Sequence, residues 1–174
     1  MDFSPPIFIA SLRVLVRTAD QIRSVDQLTG KPVVVIARTS ADTRLSQVIP
    51  GKTPSFTLSK AVSAEAALGQ LQLGWVAGYA RDDVLLATQV AASAKPGEYL
   101  LLPESLGTEP IGIAFRRGDT ALATQVRAVM ADMHKSGELV ALYERWFLRP
   151  LPPNNLTLGI ALPESLRTAW SALR

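Results

Sequence analysis

The run Pro32-Val33-Val34-Val35-Ile36 constrains the fold more than any other part of this chain. Its β-branched residues favour an extended backbone, and an unbroken apolar strand must be covered on both faces. Strand and helix signals alternate around it, the pattern of an α/β architecture with a largely parallel sheet. Upstream, Leu12, Val14 and Val16 alternate with Ser11, Arg13, Leu15 and Arg17, which reads as a half-buried strand. Ser24 to Leu28 reads as a short helical turn closed by Gly30, and Thr39 or Ser40 caps a helix through about Val48. A turn at Pro50-Gly51-Lys52 and a short strand around Phe56-Thr57-Leu58 follow. Ser63 caps a helix with Ala67, Leu68 and Leu71 on one face, ended by Gly74. Trp75 to Ala80 reads as a strand, Asp82 or Asp83 opens the next helix, and Tyr99 to Leu102 closes the block.

The composition changes at Gly107-Thr108-Glu109-Pro110. Beyond it the pattern predicts one strand, Ile111 to Phe115, and a long helix with Leu122, Val126, Val129, Met130 and Met133 on its apolar side. Ser136-Gly137 breaks that helix, and a second runs from Glu138 to Phe147. Pro150-Leu151-Pro152-Pro153 reads as an extended connector to a last amphipathic helix, Pro163 to Leu173. Amphipathic helices after a single strand need something to cover. This tail is expected to pack on the preceding block, on another copy, or on a part absent from the chain.

Several function classes are disfavoured by what the chain contains. Lys and Arg are scattered through a net charge of +3 rather than clustered, which argues against nucleic acid as a partner. Cysteine is absent, so disulfides, thiolate metal sites and a cysteine nucleophile are excluded. No metal-ligand spacing, glycine-rich phosphate loop or nucleophile elbow occurs, so neither a metal nor a cofactor is expected. The only histidine, His134, falls late in the long helix, where it suits the negative helix end. Trp75, Trp146 and Trp170 fall on separate elements and read as core or interface anchors. No segment reaches the length of a membrane span, and Met1-Asp2-Phe3 lacks the basic start and apolar stretch of a signal peptide.

In open α/β sheets the ligand positions are helix starts that follow strand ends. Thr39 and Ser40 are placed so, where amides, hydroxyls and the helix dipole favour a carboxylate or phosphate; the plainer reading of the same residues is an ordinary cap. Asp82-Asp83 is placed so as well. One carboxylate could cap while the other reaches a ligand ammonium, or both could be exposed acids that suit the dipole. Arg13, within its strand, could clamp a carboxylate in bidentate fashion or lie on a solvated face.

A set of short motifs adds a further expectation. These are Phe3-Ser4 with Phe8 and Arg13, Ser24-Val25-Asp26-Gln27-Leu28-Thr29-Gly30-Lys31, and Asp82-Asp83-Val84-Leu85-Leu86. Ile111-Gly112-Ile113-Ala114-Phe115-Arg116, Lys135-Ser136-Gly137-Glu138, Trp146-Phe147, and Pro150 to Pro153 with Asn154 and Leu156 follow in order. In that order and spacing they resemble the substrate-binding proteins of bacterial polar amino acid ABC importers, in their glutamate/aspartate-binding branch. The resemblance implies a type II periplasmic binding protein fold of class α/β. Residues 1–5 would be a hinge segment, 6–107 the second lobe, and 108–174 the C-terminal part of a first lobe whose remainder is missing. It implies capture of a small acidic or polar amino acid, without catalysis or cofactor, for an ABC permease in the inner membrane, and a periplasmic location. By position, Asp82 would hold the ligand ammonium, Thr39 with Ser40 and the adjoining amides its α-carboxylate, and Arg13 an acidic side chain. The chain departs from the family at Arg38, where a glycine is usual, and at Ala64, which falls at a ligand-contacting histidine. The incomplete lobe implies self-association. Alternatives on the same fold are a receptor's ligand-sensing domain and a cyclohexadienyl or arogenate dehydratase with Asp82-Asp83 as acid/base. A truncated chain without independent function is a third.

Overall fold

The computed structural model describes residues 1–48, 55–153 and 155–173, so the expected turn at Pro50-Gly51-Lys52 and Asn154 lie outside the described residues. In chain order the elements are β1 (Asp2–Phe3), β2 (Phe8–Arg17), β3 (Pro32–Ile36), α1 (Ser40–Val48), β4 (Thr57–Ala61), α2 (Ala64–Gln72), β5 (Gly78–Asp82), α3 (Asp83–Ala91), β6 (Tyr99–Leu101), β7 (Gly107–Ile111), β8 (Ala114–Phe115), α4 (Thr120–Ser136), α5 (Glu138–Phe147) and α6 (Glu164–Ser171). They form two compact units, Ser11–Gly107 and Met1–Ala10 with Thr108–Arg174. The carboxyl-side boundary coincides with the composition change at 107. At the amino side the division falls after Ala10 rather than after residue 5, because Phe8 and Ile9 pack among the C-terminal helices.

The unit Ser11–Gly107 is built on a sheet ordered β4-β3-β5-β2-β6; β7, which pairs β2 off that path, belongs but for Gly107 to the other unit. β3 runs parallel to β4 and β5, whereas β2 is antiparallel to β5 and β6. The sheet is therefore mixed rather than largely parallel. β3, β4 and β5 are joined by α1 and α2, and such crossovers return the chain in the same direction. The link from β2 to β3 holds only the 3-10 turns Thr18–Asp20 and Val25–Leu28.

Burial of β3 is as its composition demands: Val33, Val34 and Val35 are fully buried. β2 differs from the half-buried expectation, since Leu15 is buried along with Leu12, Val14 and Val16. The reason lies in two cores, one on each face. Leu12, Val14 and Val16 pack with Ile22, Leu28, Val33 and Leu45, while Leu15 packs with Val34, Leu71, Tyr79 and Leu86. β5 threads between these cores at Gly78, where a Cβ would stand only 2.6 Å from Val14 Cγ1. The strand expected to begin at Trp75 starts only at Gly78. Gly74, with φ 76°, closes α2 as Gly74 N–H and Trp75 N–H donate to the carbonyls of Leu71 and Gln70. Trp75 is left 69% exposed, so it is not a core anchor.

The second unit pairs β1 with β8, Asp2 opposite Phe115 and Phe3 opposite Ala114. The single strand expected over Ile111–Phe115 is split between β7 and β8. Ile113 N–H donates to the Ser4 hydroxyl, and a Cβ at Gly112 would lie 2.9 Å from the Ser4 carbonyl oxygen. Gly137, at φ 80°, turns α4 into α5. Pro150–Pro153 is not an extended connector, because Leu151 pairs with Leu156. The neighbouring prolines have no N–H, so Leu151 supplies the donor that closes this turn. Ile9, Met130, Leu139, Tyr143, Leu166 and Trp170 form the core, Phe8 stacks on Phe147 at 5.0 Å, and Trp170 Nε1 donates to the Pro6 carbonyl at 2.9 Å. The rest of the apolar side of α4 and α5 is open. Val129 and Trp146 are 58% and 54% exposed, and with Ile7, Ile113, Met133 and Leu142 they line a cavity of about 490 Å³.

Leu86→Ala, deep in the second face of the Ser11–Gly107 unit, is expected to cost about 2–5 kcal/mol of unfolding free energy. Val62→Ala, at an exposed position, should change it by less than about 0.5 kcal/mol. Denaturant titration of both variants checks that contrast.

Candidate ligand-binding site

Within the Ser11–Gly107 unit the sheet gathers the candidate residues at one edge. β3 and β5 are parallel neighbours, so their carboxyl ends, and the starts of α1 and α3, share that edge. Antiparallel β2 brings Leu12 opposite Asp82 and Arg13 opposite Arg81. Thr39, Ser40, Asp82 and Arg13 are thereby brought to the same end of the sheet.

Thr39 is the cap of α1. Its hydroxyl accepts from the Asp42 amide at 3.2 Å and donates to the Ile36 carbonyl at 2.8 Å. That hydroxyl proton is committed inward, while Ser40, opening the helix, is exposed. Arg38, standing where a glycine was expected, adopts φ 64°, a left-handed conformation that costs a side-chain-bearing residue about 1–2 kcal/mol. Its N–H donates to Asp42 Oδ2 at 2.9 Å. Asp42 is buried and also accepts from Ser46 Oγ at 3.1 Å and pairs with Lys60 Nζ at 3.0 Å. The Arg38 amide, followed by the Lys60 ammonium, holds the Asp42 carboxyl below its ordinary value of 3.8.

Asp82 and Asp83 divide the two roles that their position offers. Asp82 sits half-buried at the N-cap of α3 and makes no side-chain cap bond to the helix. Asp83 is buried, not an exposed acid. Its Oδ1 accepts from the Ser11 and Val84 amides at 3.1 and 2.9 Å, which ties β2 to the start of α3. Arg13 is not on a solvated face either. Its side chain is 33% exposed, and its Nε is buried without a hydrogen bond, 4.0 Å from Asp83 Oδ2. Arg81 lies on the same face, with Nη1 3.4 Å from both Tyr79 Oη and Gln89 Oε1. Gln89 Nε2 in turn donates to the carbonyl of Ala64, the first residue of α2. The arrangement can receive an anion at the start of α1 and at Arg13, and a cation at Asp82.

Asp42, Lys60 and Arg81 were not anticipated as supports of this edge, and for Asp82-Asp83 the sequence left open which acid would turn inward. The Thr39-x-x-Asp42 spacing was a readable capping signal. Nothing local indicates that Asp83 reaches Ser11 across the sheet. Among the described residues no group of three or more His, Cys, Asp or Glu could hold a metal ion. No helix among them is long and apolar enough to cross a membrane.

A mixed α/β sheet with helix starts and opposed charges gathered at one edge is an arrangement in which open α/β folds place small-molecule sites. Residues 1–149 match the model of the bacterial extracellular solute-binding proteins, family 3, and the chain belongs to that family. It is 29% identical over 167 residues to an L-glutamate/L-aspartate-binding protein of Pseudomonas aeruginosa, covering 96% of this chain and 55% of that protein. It is 25% identical over 168 residues to the glutamate/aspartate import solute-binding protein of Escherichia coli, with 97% and 56% covered. Among solved structures, an ancestral arginine-binding protein bound to arginine superposes with a TM-score of 0.63 at 28% identity, over 84% of this chain and 64% of that one. The chain thus spans about half the length of the curated relatives it matches.

The depressed pKa of Asp42 sets a testable acid dependence. Its ion pair and amide bond stabilise the fold fully above the unfolded carboxyl value near 3.8, and that contribution is lost as pH falls through the lower folded value. The melting-temperature gap between the wild type and Asp42→Asn should be constant from pH 5 to 7 on the order-of-magnitude scale of such linkage, and shrink below about pH 4. Melts across that range measure it.

Proposed function

We propose that this chain carries one wall of the ligand site of an amino acid-binding protein serving an ABC importer, and that its cargo is an acidic amino acid. The observation that carries the reading is the meeting of Asp82, Arg13 and the start of α1 at one sheet edge. An amino acid presents an ammonium, an α-carboxylate and a side chain, and each finds its opposite there. Asp82 takes the ammonium, Ser40 and the amides leading into α1 take the α-carboxylate, and Arg13 takes the side-chain acid. Thr39 shapes the turn that presents those amides. Opposite charge at each position offsets the desolvation of a buried zwitterion. The glutamate- and aspartate-binding relatives support the acidic side chain.

In this reading the unit Ser11–Gly107 is the second lobe, residues 1–5 are a hinge segment, and residues 6–10 belong with 108–174 to part of the other lobe. The rest of that lobe supplies the facing wall of the site. The complete protein acts in the periplasm, delivers its ligand to an inner-membrane permease, and catalyses nothing. The open apolar face of α4 and α5 is where the rest of the first lobe packs, and it leads this chain alone to self-associate.

Two measurements test this. Calorimetric titration with glutamate, aspartate, glutamine and arginine should show selective binding of the acids. Arg13→Lys, which keeps a charge beside Asp83 but loses the bidentate fork, should weaken glutamate about 10- to 100-fold, the scale of a charge-assisted hydrogen bond. Tighter binding of arginine than of glutamate would sink the acidic reading. Light scattering should show concentration-dependent association of the chain, reduced by Val129→Lys with Trp146→Lys. A monodisperse monomer at all concentrations would count against the open-face assignment.

A further inference from the structure

We infer that Asp42 is a positioning residue for the ligand loop 37–40, holding Arg38 in a left-handed turn so that the chain enters α1 with its first amides presented at the site edge. The inference rests on the binding reading above and concerns a residue that touches no ligand in it. Four contacts converge on this buried carboxylate. Oδ2 accepts the Arg38 N–H at 2.9 Å, and Oδ1 accepts Ser46 Oγ at 3.1 Å and lies 3.0 Å from Lys60 Nζ, which is also 3.3 Å from Oδ2. The Asp42 amide returns a bond to Thr39 Oγ1 at 3.2 Å. The loop, α1 and β4 are therefore tied through one side chain.

The energetic reason is local. A left-handed residue with a side chain relaxes to other backbone conformations unless its surroundings hold it. At Arg38, with φ 64°, the holding bond on its amide comes from Asp42. A glycine there would need no such hold, because φ near 64° is open to it at no steric cost. The chain thus combines a strained residue at the site with a buried acid that stabilises the strained state. Lys60, exposed on β4 but reaching both carboxylate oxygens, keeps that acid ionised and oriented.

The test is a set of glutamate titrations on the full chain, with melts run in parallel. Asp42→Ala and the isosteric Asp42→Asn should weaken glutamate at least tenfold, and Lys60→Gln a few-fold. Arg38→Gly added to Asp42→Ala should restore affinity to within about threefold of wild type, while the melting temperature stays low. That split between affinity and stability is what a merely structural acid would not produce. Affinity unchanged in Asp42→Ala despite a lowered melting temperature overturns the inference, as does failure of Arg38→Gly to rescue. If the wild type binds no amino acid, the binding reading fails instead. The loop is then judged by amide exchange, where Asp42→Ala should speed Arg38, Thr39 and Ser40 about tenfold over the amides of β3. Equal exchange in both proteins overturns the inference on that arm.

Discussion

The burial of β3 and β2 on both faces is the constraint on which the rest of the larger unit depends. Val33, Val34 and Val35 leave no polar face, so layers must form on each side of the sheet, and the chain supplies them with α1 and the 3-10 turns on one side and α2 and α3 on the other. Crossover helices in turn make β3, β4 and β5 parallel. Parallel strands end together, so helix starts, with their amides and dipoles, collect at one edge. The site is a consequence of covering the core.

That edge is held by acids that face inward. Asp83 joins α3 to β2 through the Ser11 amide, and Asp42 joins the loop before α1 to β4 through Lys60. Each is buried and hydrogen-bonded, Asp83 by the Ser11 and Val84 amides and Asp42 by the Arg38 amide, the Ser46 hydroxyl and the Lys60 ammonium, which offsets the loss of solvent around a polar group. Their neighbours Asp82 and Ser40 stay more accessible. Buried and accessible groups thus lie one or two positions apart in sequence, because nearby positions at a strand end or helix start point in different directions.

The second unit shows the opposite condition. Its three helices bury Trp170, Tyr143 and Leu166 among themselves, yet α4 and α5 keep an apolar side that a two-strand ribbon cannot cover. The helices were readable from their period, and the break between the first two from Ser136-Gly137. Their incomplete burial agrees with a chain that spans about half the length of its curated relatives. Trp146 and Trp170, alike as sequence signals, ended with different fates, since only Trp170 finds the Pro6 carbonyl for its indole N–H.

The sequence by itself determined the α/β class, the buried strand Pro32–Ile36, most of the helices and the caps at Thr39 and Ser63. These rest on composition, periodicity and hydrogen bonds between near neighbours, all of which are local. It also marked Arg13, Thr39, Ser40 and Asp82 as candidates. Tertiary structure alone decided that β2 runs antiparallel and is covered twice, that Asp83 rather than Asp82 turns inward, and that Arg13 and Arg81 are register partners on one face of the sheet. It also decided that Lys60 completes the Asp42 cluster. Those outcomes depend on strand register and on which helix lands on which face, where residues far apart in the chain meet and no local pattern carries the information.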